Sequence, residues 1–261
     1  MNNLKQIALG LENYESARSR LPPPLVMDGC CVHWEQPGDE YDIWDAAANG
    51  EHGYSWMLMI LPYLELQNVY DQWDFSLNVV GNERVARQDL SIFYCPSRRA
   101  DVRGEDLRYM FQNWDRGGND YGGCLGWPNA FADDRNRMTM GMDLPYNPPT
   151  KMGVFDPFVE MRLARITDGL SETIMVAELQ RLNDYDIGGD GWAVGGVSNL
   201  FDLQYLEFND RFFESPGSEH PGGAQFAMAG GSVHFFSENI DSETLKALCT
   251  YQGGEVLRDE Y

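Results

Sequence analysis

The residue types that do chemistry are few in this chain and widely spaced. There are four histidines, His33, His52, His220 and His234, and none sits in a pattern that assembles a reaction. The sequence contains no G-x-S-x-G, no H-E-x-x-H, no P-loop and no G-x-G-x-x-G opening a helix. His220 and His234 could face each other across the end of a hairpin. A histidine without a nucleophile or a ligand partner makes no mechanism, however, and the expected job of His220 is to anchor a turn through a hydrogen bond. These observations predict a protein that is not an enzyme.

Two segments could hold a ligand. Asp184, Asp186 and Asp190 lie in NDYDIGGDGW, where the glycines allow carbonyl groups to approach closely. Calcium takes several oxygen ligands from a flexible loop of this kind, although the spacing is not that of an EF-hand. A solvated Gly/Asp turn is the simpler account. The seven tryptophans raise a second possibility, since exposed Trp beside polar side chains can stack on a sugar. Trp114 and Trp127, in polar Gly-rich loops, are the better placed for it. Trp56 and Trp73 lie among apolar residues and belong to a core. Met57 and Met59 are also better read as packing than as soft-metal ligands.

The five cysteines are Cys30, Cys31, Cys95, Cys124 and Cys249. None forms a C-x-x-C pair, which argues against a zinc cluster. In an exported chain one or two disulfides would fit, with at least one thiol left over. Adjacent Cys30 and Cys31 do not meet disulfide geometry with each other.

The elements that must position these residues follow from periodicity. Leu4, Ile7, Ala8, Leu11 and Tyr14 form one apolar stripe, predicting a helix over residues 2–20 that ends at Pro22, Pro23 and Pro24. Trp56–Leu61 reads as helix interrupted by Pro62, Tyr63–Trp73 as further helical turns, and 83–90 as a short helix. SIFYCP (91–96) reads as a buried strand, and 101–153 as loop with short strands. TIMVAEL (173–179) reads as a strand after the Asp168–Gly169 turn. AQFAM (224–228) and SVHFF (232–236) flank Ala229–Gly230–Gly231 as a hairpin. Residues 241–249 read as a helix capped by Asp241 or Ser242. A helix, an irregular middle and terminal strands predict an α+β domain.

Composition bounds the partners. Aspartate and glutamate number 41 against 19 lysines and arginines, for a formal net charge of −22. Such a surface repels phosphate and anionic lipid, which excludes nucleic acid as a partner. No run of eighteen apolar residues is present, and the first ten residues already include Asn2, Asn3, Lys5 and Gln6, unlike a signal peptide. Taken alone, that pattern suggests the cytoplasm.

Five stretches in order change that inference. NNLKQIALGLENY (2–14), SWMLMILPYLELQNVYDQWDFS (55–76), FYCPSRR (93–99), ITDGLSETIMVAEL (166–179) and HPGGAQFAMAGGSVHFF (220–236) together resemble the DUF1559 family. Its members carry a prepilin-type N-terminal methylation segment and a C-terminal H-X9-DG motif. The resemblance implies a single pilin-like domain over 1–261. Residues 1–21 would be the C-terminal part of the pilin helix, and 22–261 an elaborated head with the hairpin at 220–236. It marks His220, Gly230, Gly231, Asp168, Gly169, Cys95 and Pro96 as structural motif positions. Gly230 stands where the family has Asp, so a role needing that carboxylate is not carried over, while the turn is.

The resemblance further implies export, with inner-membrane or periplasmic anchoring before assembly and then an extracellular or cell-surface location. The partners would be other pilin-like subunits or copies of the chain itself. The membrane would be met only through an apolar N-terminal helix that this sequence does not include. The function implied is a structural subunit of a filament, pseudopilus or secretion-associated surface assembly, with calcium as the one cofactor to consider. A surface or periplasmic module binding carbohydrate or another solute is the alternative, and a hydrolase is a third reading.

Overall fold

The computed structural model describes residues 2–27, 52–127, 152–156, 159–180, 189–203, 208–209 and 215–255. Helix α1 (Asn2–Arg18) buries Leu4, Ile7, Ala8, Gly10, Leu11 and Tyr14, the expected stripe, on one face. It stops just before Ser19, which has φ 58°, and the prolines follow. Strands β1 (Leu25–Met27) and β2 (His52–Ser55) pair antiparallel. Ser55 then caps helix α2 (Trp56–Ile60) by accepting from the Met57 amide. As its sequence predicts, Pro62 breaks that helix: Leu61–Leu64 tightens into a 3₁₀ turn with the proline in its first turn. Short helices α3 (Gln67–Tyr70) and α4 (Glu83–Ala86) follow.

The main sheet has five strands: β3 (Tyr121–Gly126), β4 (Ile174–Glu178), β5 (Leu200–Asp202), β6 (Gly223–Met228) and β7 (Val233–Ser237). Their order across the sheet is β5-β3-β4-β6-β7. All neighbours are antiparallel except β3 and β5, which run parallel. The fold is α+β, with α1 laid on the sheet and helix α5 (Ser242–Leu248) beyond β7 in the chain. The Asp241 carboxylate caps α5 by accepting from the Thr244 amide.

The sheet divides two apolar clusters, because successive strand residues point to opposite faces. Ala227 and Ala229 join the cluster that contains the α1 stripe, Trp56, Trp192 and Phe93. Phe226 and Met228 join the cluster with Phe236, Leu245 and Leu248. The hairpin turn reaches back to α1: Lys5 Nζ donates to the Gly231 carbonyl, and Gly231 has φ 77°, a conformation a side chain disfavours. The neighbouring amides of Ala229 and Gly230 donate to Thr173 and Leu170 carbonyls. Position 230 is thus held through its backbone, which Gly in place of the family's Asp leaves intact.

One reading of the sequence is corrected. Residues 91–96 are not a strand, since Ser91–Phe93 wind into a 3₁₀ turn. Asn3 Nδ2 donates to the carbonyls of both Ser91 and Tyr94, and Phe93 supplies its carbonyl to the Asp120 amide. The apolar residues of this run reach the core without a ladder partner. Within the Gly-rich stretch expected to hold loop and short strands, the described residues form the interior strand β3. Its glycines answer to packing: a Cβ on Gly123 would lie 2.6 Å from the Phe155 ring, which in turn sits 5.0 Å from Trp56. Gly123→Ala should therefore destabilise the chain by about 1–3 kcal/mol through overpacking, read as a lower urea midpoint with unchanged slope.

Candidate functional site

The turn after Phe93 delivers Cys95, Arg98 and Arg99 to the end of the sheet where β3 begins and β4 ends. Arg98 and Arg99 are adjacent in sequence and both buried. Arg98 donates to Asp120 Oδ1 at 2.9 Å and Asp106 Oδ1 at 2.7 Å. Arg99 donates to Asp120 Oδ1 at 2.8 Å, Asp106 Oδ2 at 2.9 Å and Asp190 Oδ2 at 2.8 Å. Two guanidinium forks thus face three buried carboxylates, and the half-exposed Arg103 adds a longer contact to Asp106 at 3.3 Å. Burial opposes the charge on Arg99, but Asp190, Asp120 and Asp106 outweigh it and raise its pKa. Burial likewise pushes Asp106 up, while Arg99 and Arg98 outweigh it and hold the carboxyl below its ordinary value.

Against this network sits a second cluster. The Asp120 carboxylate accepts the Cys95 amide at 2.9 Å. Cys95 Sγ lies 3.1 Å from Glu178 Oε1 and 3.6 Å from His220 Nε2. His220 Nε2 is 3.3 Å from the same Glu178 oxygen. Each carrier is fixed from behind. Glu178 Oε2 accepts the Gln225 amide at 2.8 Å, putting a side chain where β4 and β6 would otherwise continue their ladder. Ser218 Oγ accepts the His220 amide and donates to the Gly223 carbonyl. Cys95 and Glu178 are each 2% exposed, while the His220 side chain is 21% exposed. Burial first, then the Glu178 charge, pushes the Cys95 thiol up to about 12. In this arrangement Cys95 is a protonated donor to Glu178.

The residues expected from the sequence fall as follows. His220 and Cys95 come together with Glu178, and the His220 ring ties its turn to the end of β4 through the Glu178 oxygen. His234 turns elsewhere, 2.9 Å from Ser232 Oγ and stacked on Phe236. Asp190 belongs to the arginine network: Oδ1 accepts the Asn119 amide and Oδ2 accepts from Arg99. Asp184 and Asp186 lie outside the described residues. Trp114 is 5% exposed and packs edge-on against Phe111, a buried anchor without an open stacking face. Trp127 is half-buried beneath the Lys246 ammonium, 5.6 Å above its ring. Asp168 accepts from the amides of Gly253 and Gly254, and Thr173 Oγ1 donates to the Gly169 carbonyl, so that turn ties β4 to the segment after α5. Pro96 separates Cys95 from the arginine pair in sequence. Among the described cysteines, Cys95, Cys124 and Cys249 are all unbridged and buried.

Sequence reasoning missed Glu178, Asp120, Asp106, Arg98 and Arg99. The signal for Glu178 is a charge at the end of the apolar run TIMVAEL, which is costly to bury unless paired. The signal for the arginines is their adjacency directly after Cys-Pro-Ser, in a chain otherwise poor in positive charge.

The family model described as "Protein of unknown function (DUF1559)" matches residues 1–243. No curated protein and no solved structure matches the chain.

Removing one fork of the buried network leaves carboxylates without a partner, so Arg99→Met should cost about 3–5 kcal/mol. Arg103→Met, at a half-exposed site, should cost less than about 1 kcal/mol, both read from chemical denaturation. Asp106 adds a pH signature. Because its folded pKa is lowered, its contribution is complete above the unfolded-state value of about 3.9 and is lost as pH falls through the folded value. The urea midpoint should hold from neutrality to about pH 5 and fall below about pH 4, and more of that acid fall should remain in Arg103→Met than in Asp106→Asn.

Proposed function

The chain belongs to the DUF1559 family, and from that membership we propose that it is an exported, pilin-like structural subunit whose work is packing and presentation, without catalytic turnover. The observation that carries this reading is α1. It is a continuous helix laid across a mostly antiparallel sheet by a single buried stripe, the arrangement in which one helix can serve the head on one face and neighbouring subunits on the other. Its opposite face keeps Leu9 42% exposed. Partners on this reading are copies of the chain or similar subunits. The location is the cell surface, following anchoring at the inner membrane.

The charge supports presentation at a surface. A head with formal net charge −22 repels other such heads as well as nucleic acid, so assembly depends on the helix side and on cations to offset head-to-head repulsion. The family match runs over the part of the chain that includes α1, the arginine network and the hairpin, which supports reading them together.

Immunogold labelling of the source cells with an antibody raised against this chain tests it. Label on surface fibres or along the envelope is the expected outcome. Label confined to the cytosol overturns it.

A further inference from the structure

We propose that Cys95, Glu178 and His220 form a binding site for one zinc-class divalent cation. The three ligand atoms come from three separate parts of the chain: the turn after Phe93, the end of β4, and the loop before β6. They lie at mutual distances of 3.1, 3.3 and 3.6 Å. A tetrahedral zinc with ordinary bond lengths to S, N and O places its ligand atoms about 3.4–3.6 Å apart. The Cys95–Glu178 separation needs to open by only a few tenths of an ångström, and that is the pair now closed by the thiol proton.

Charge points the same way. Glu178 is buried, and among the described residues the one basic side chain within ion-pair distance of it is the His220 imidazole. Arg98 stands near but is engaged by Asp120, Asp106 and the Gln180 carbonyl. A buried carboxylate next to a thiol is expensive without a compensating cation. A dication neutralises the thiolate and carboxylate together, releasing the Cys95 proton to the buffer. The ligand set is soft thiolate, imidazole and one carboxylate, which suits zinc and is wrong for calcium.

The ligands are also held in the manner of a metal site. The Glu178 oxygen that faces away is fixed by the Gln225 amide, the His220 backbone by Ser218, and the Cys95 backbone by Asp120. Such outer contacts orient ligands before the metal arrives. His220 is the least buried of the three, so a fourth ligand such as water would enter from its side. A bound ion would join the turn carrying Cys95 to β4 and to the start of the β6–β7 hairpin.

The test uses the whole chain, stripped with a chelator and titrated with zinc by calorimetry and with cobalt by absorption. The expected result is one equivalent bound, with thiolate-to-cobalt charge transfer and the visible bands of a tetrahedral ion. Cys95→Ser and His220→Ala should each weaken zinc binding by more than the ~100-fold that losing an outer contact can cost. Cys124→Ser should keep both the affinity and the spectrum. If Cys95→Ser does not fold, the comparison of wild type with His220→Ala decides, because His220 lies at the edge of the cluster. No heat and no charge-transfer band in the wild-type chain overturns the site. So does a His220→Ala variant that binds as tightly as wild type, which would leave the cluster a plain hydrogen-bonded triad.

Discussion

Two adjacent arginines buried against three aspartates set the terms for the rest of this molecule. Charges taken out of water are tolerable only when each finds its counter-charge and hydrogen bonds in good geometry. That requirement brings residues 98–99, 106, 119–120 and 190, remote in sequence, to within hydrogen-bond distance. Nothing in apolar burial alone is so directional. The network decides where β3 starts and where the loop carrying Cys95 must pass, and the irregular segment around residue 190 is tied down by the same contacts. Arg99 also lies over the buried Tyr94 ring at 5.2 Å, beside the core residue Phe93 in sequence.

The rest of the fold is hydrophobic bookkeeping around that fixed point. The α1 stripe and the residues Trp56–Leu61 fill one side of the sheet, and α5 with Phe226 of β6 and Phe236 of β7 fills the other. Because β4 lies in the middle of the five strands, its last residue, Glu178, is carried into the interior at the one place where the ionic network already makes the surroundings polar. Cys95 reaches it from the turn and His220 from the hairpin side. The cluster is a consequence of where three chain segments must meet once the arginines are satisfied.

Much of this was legible in the residue pattern, and the parts that were not share a cause. The α1 stripe, the break at Pro62, the β6–β7 hairpin and the Asp241 cap all rest on local rules that act within a few residues: a 3.6-residue period, a missing amide, a glycine turn, a carboxylate at a helix start. The short strands expected within 101–153 carried no exact position, because DYGGCLG argues locally against a strand. The glycines in β3 answer to Leu179 and Phe155, which press too closely for any side chain at Gly122 and Gly123, a fact about distant residues. The apolar run of residues 91–96 fits a strand, while Asn3 from α1 takes the carbonyls that a ladder would have used. The cluster of Cys95, Glu178 and His220 was invisible for the same reason. Its members are separated by 83 and 42 positions, and only the sheet order brings them together.

The joint between α1 and the hairpin turn has a mechanical side. Lys5 holds the Gly231 carbonyl, and two residues earlier Asn3 holds the carbonyls of Ser91 and Tyr94. A pull along the axis of α1 therefore does not peel the helix from the sheet one contact at a time. It loads these polar contacts and the apolar stripe together, in shear, and hands the force to both the hairpin and the turn that precedes the arginine pair. Resistance to such a load is a matter of how fast the joint opens and not of how stable the head is at rest. Lys5 and Asn3 thus couple the first helix to two separate parts of the head, the hairpin turn and the turn before the arginine pair.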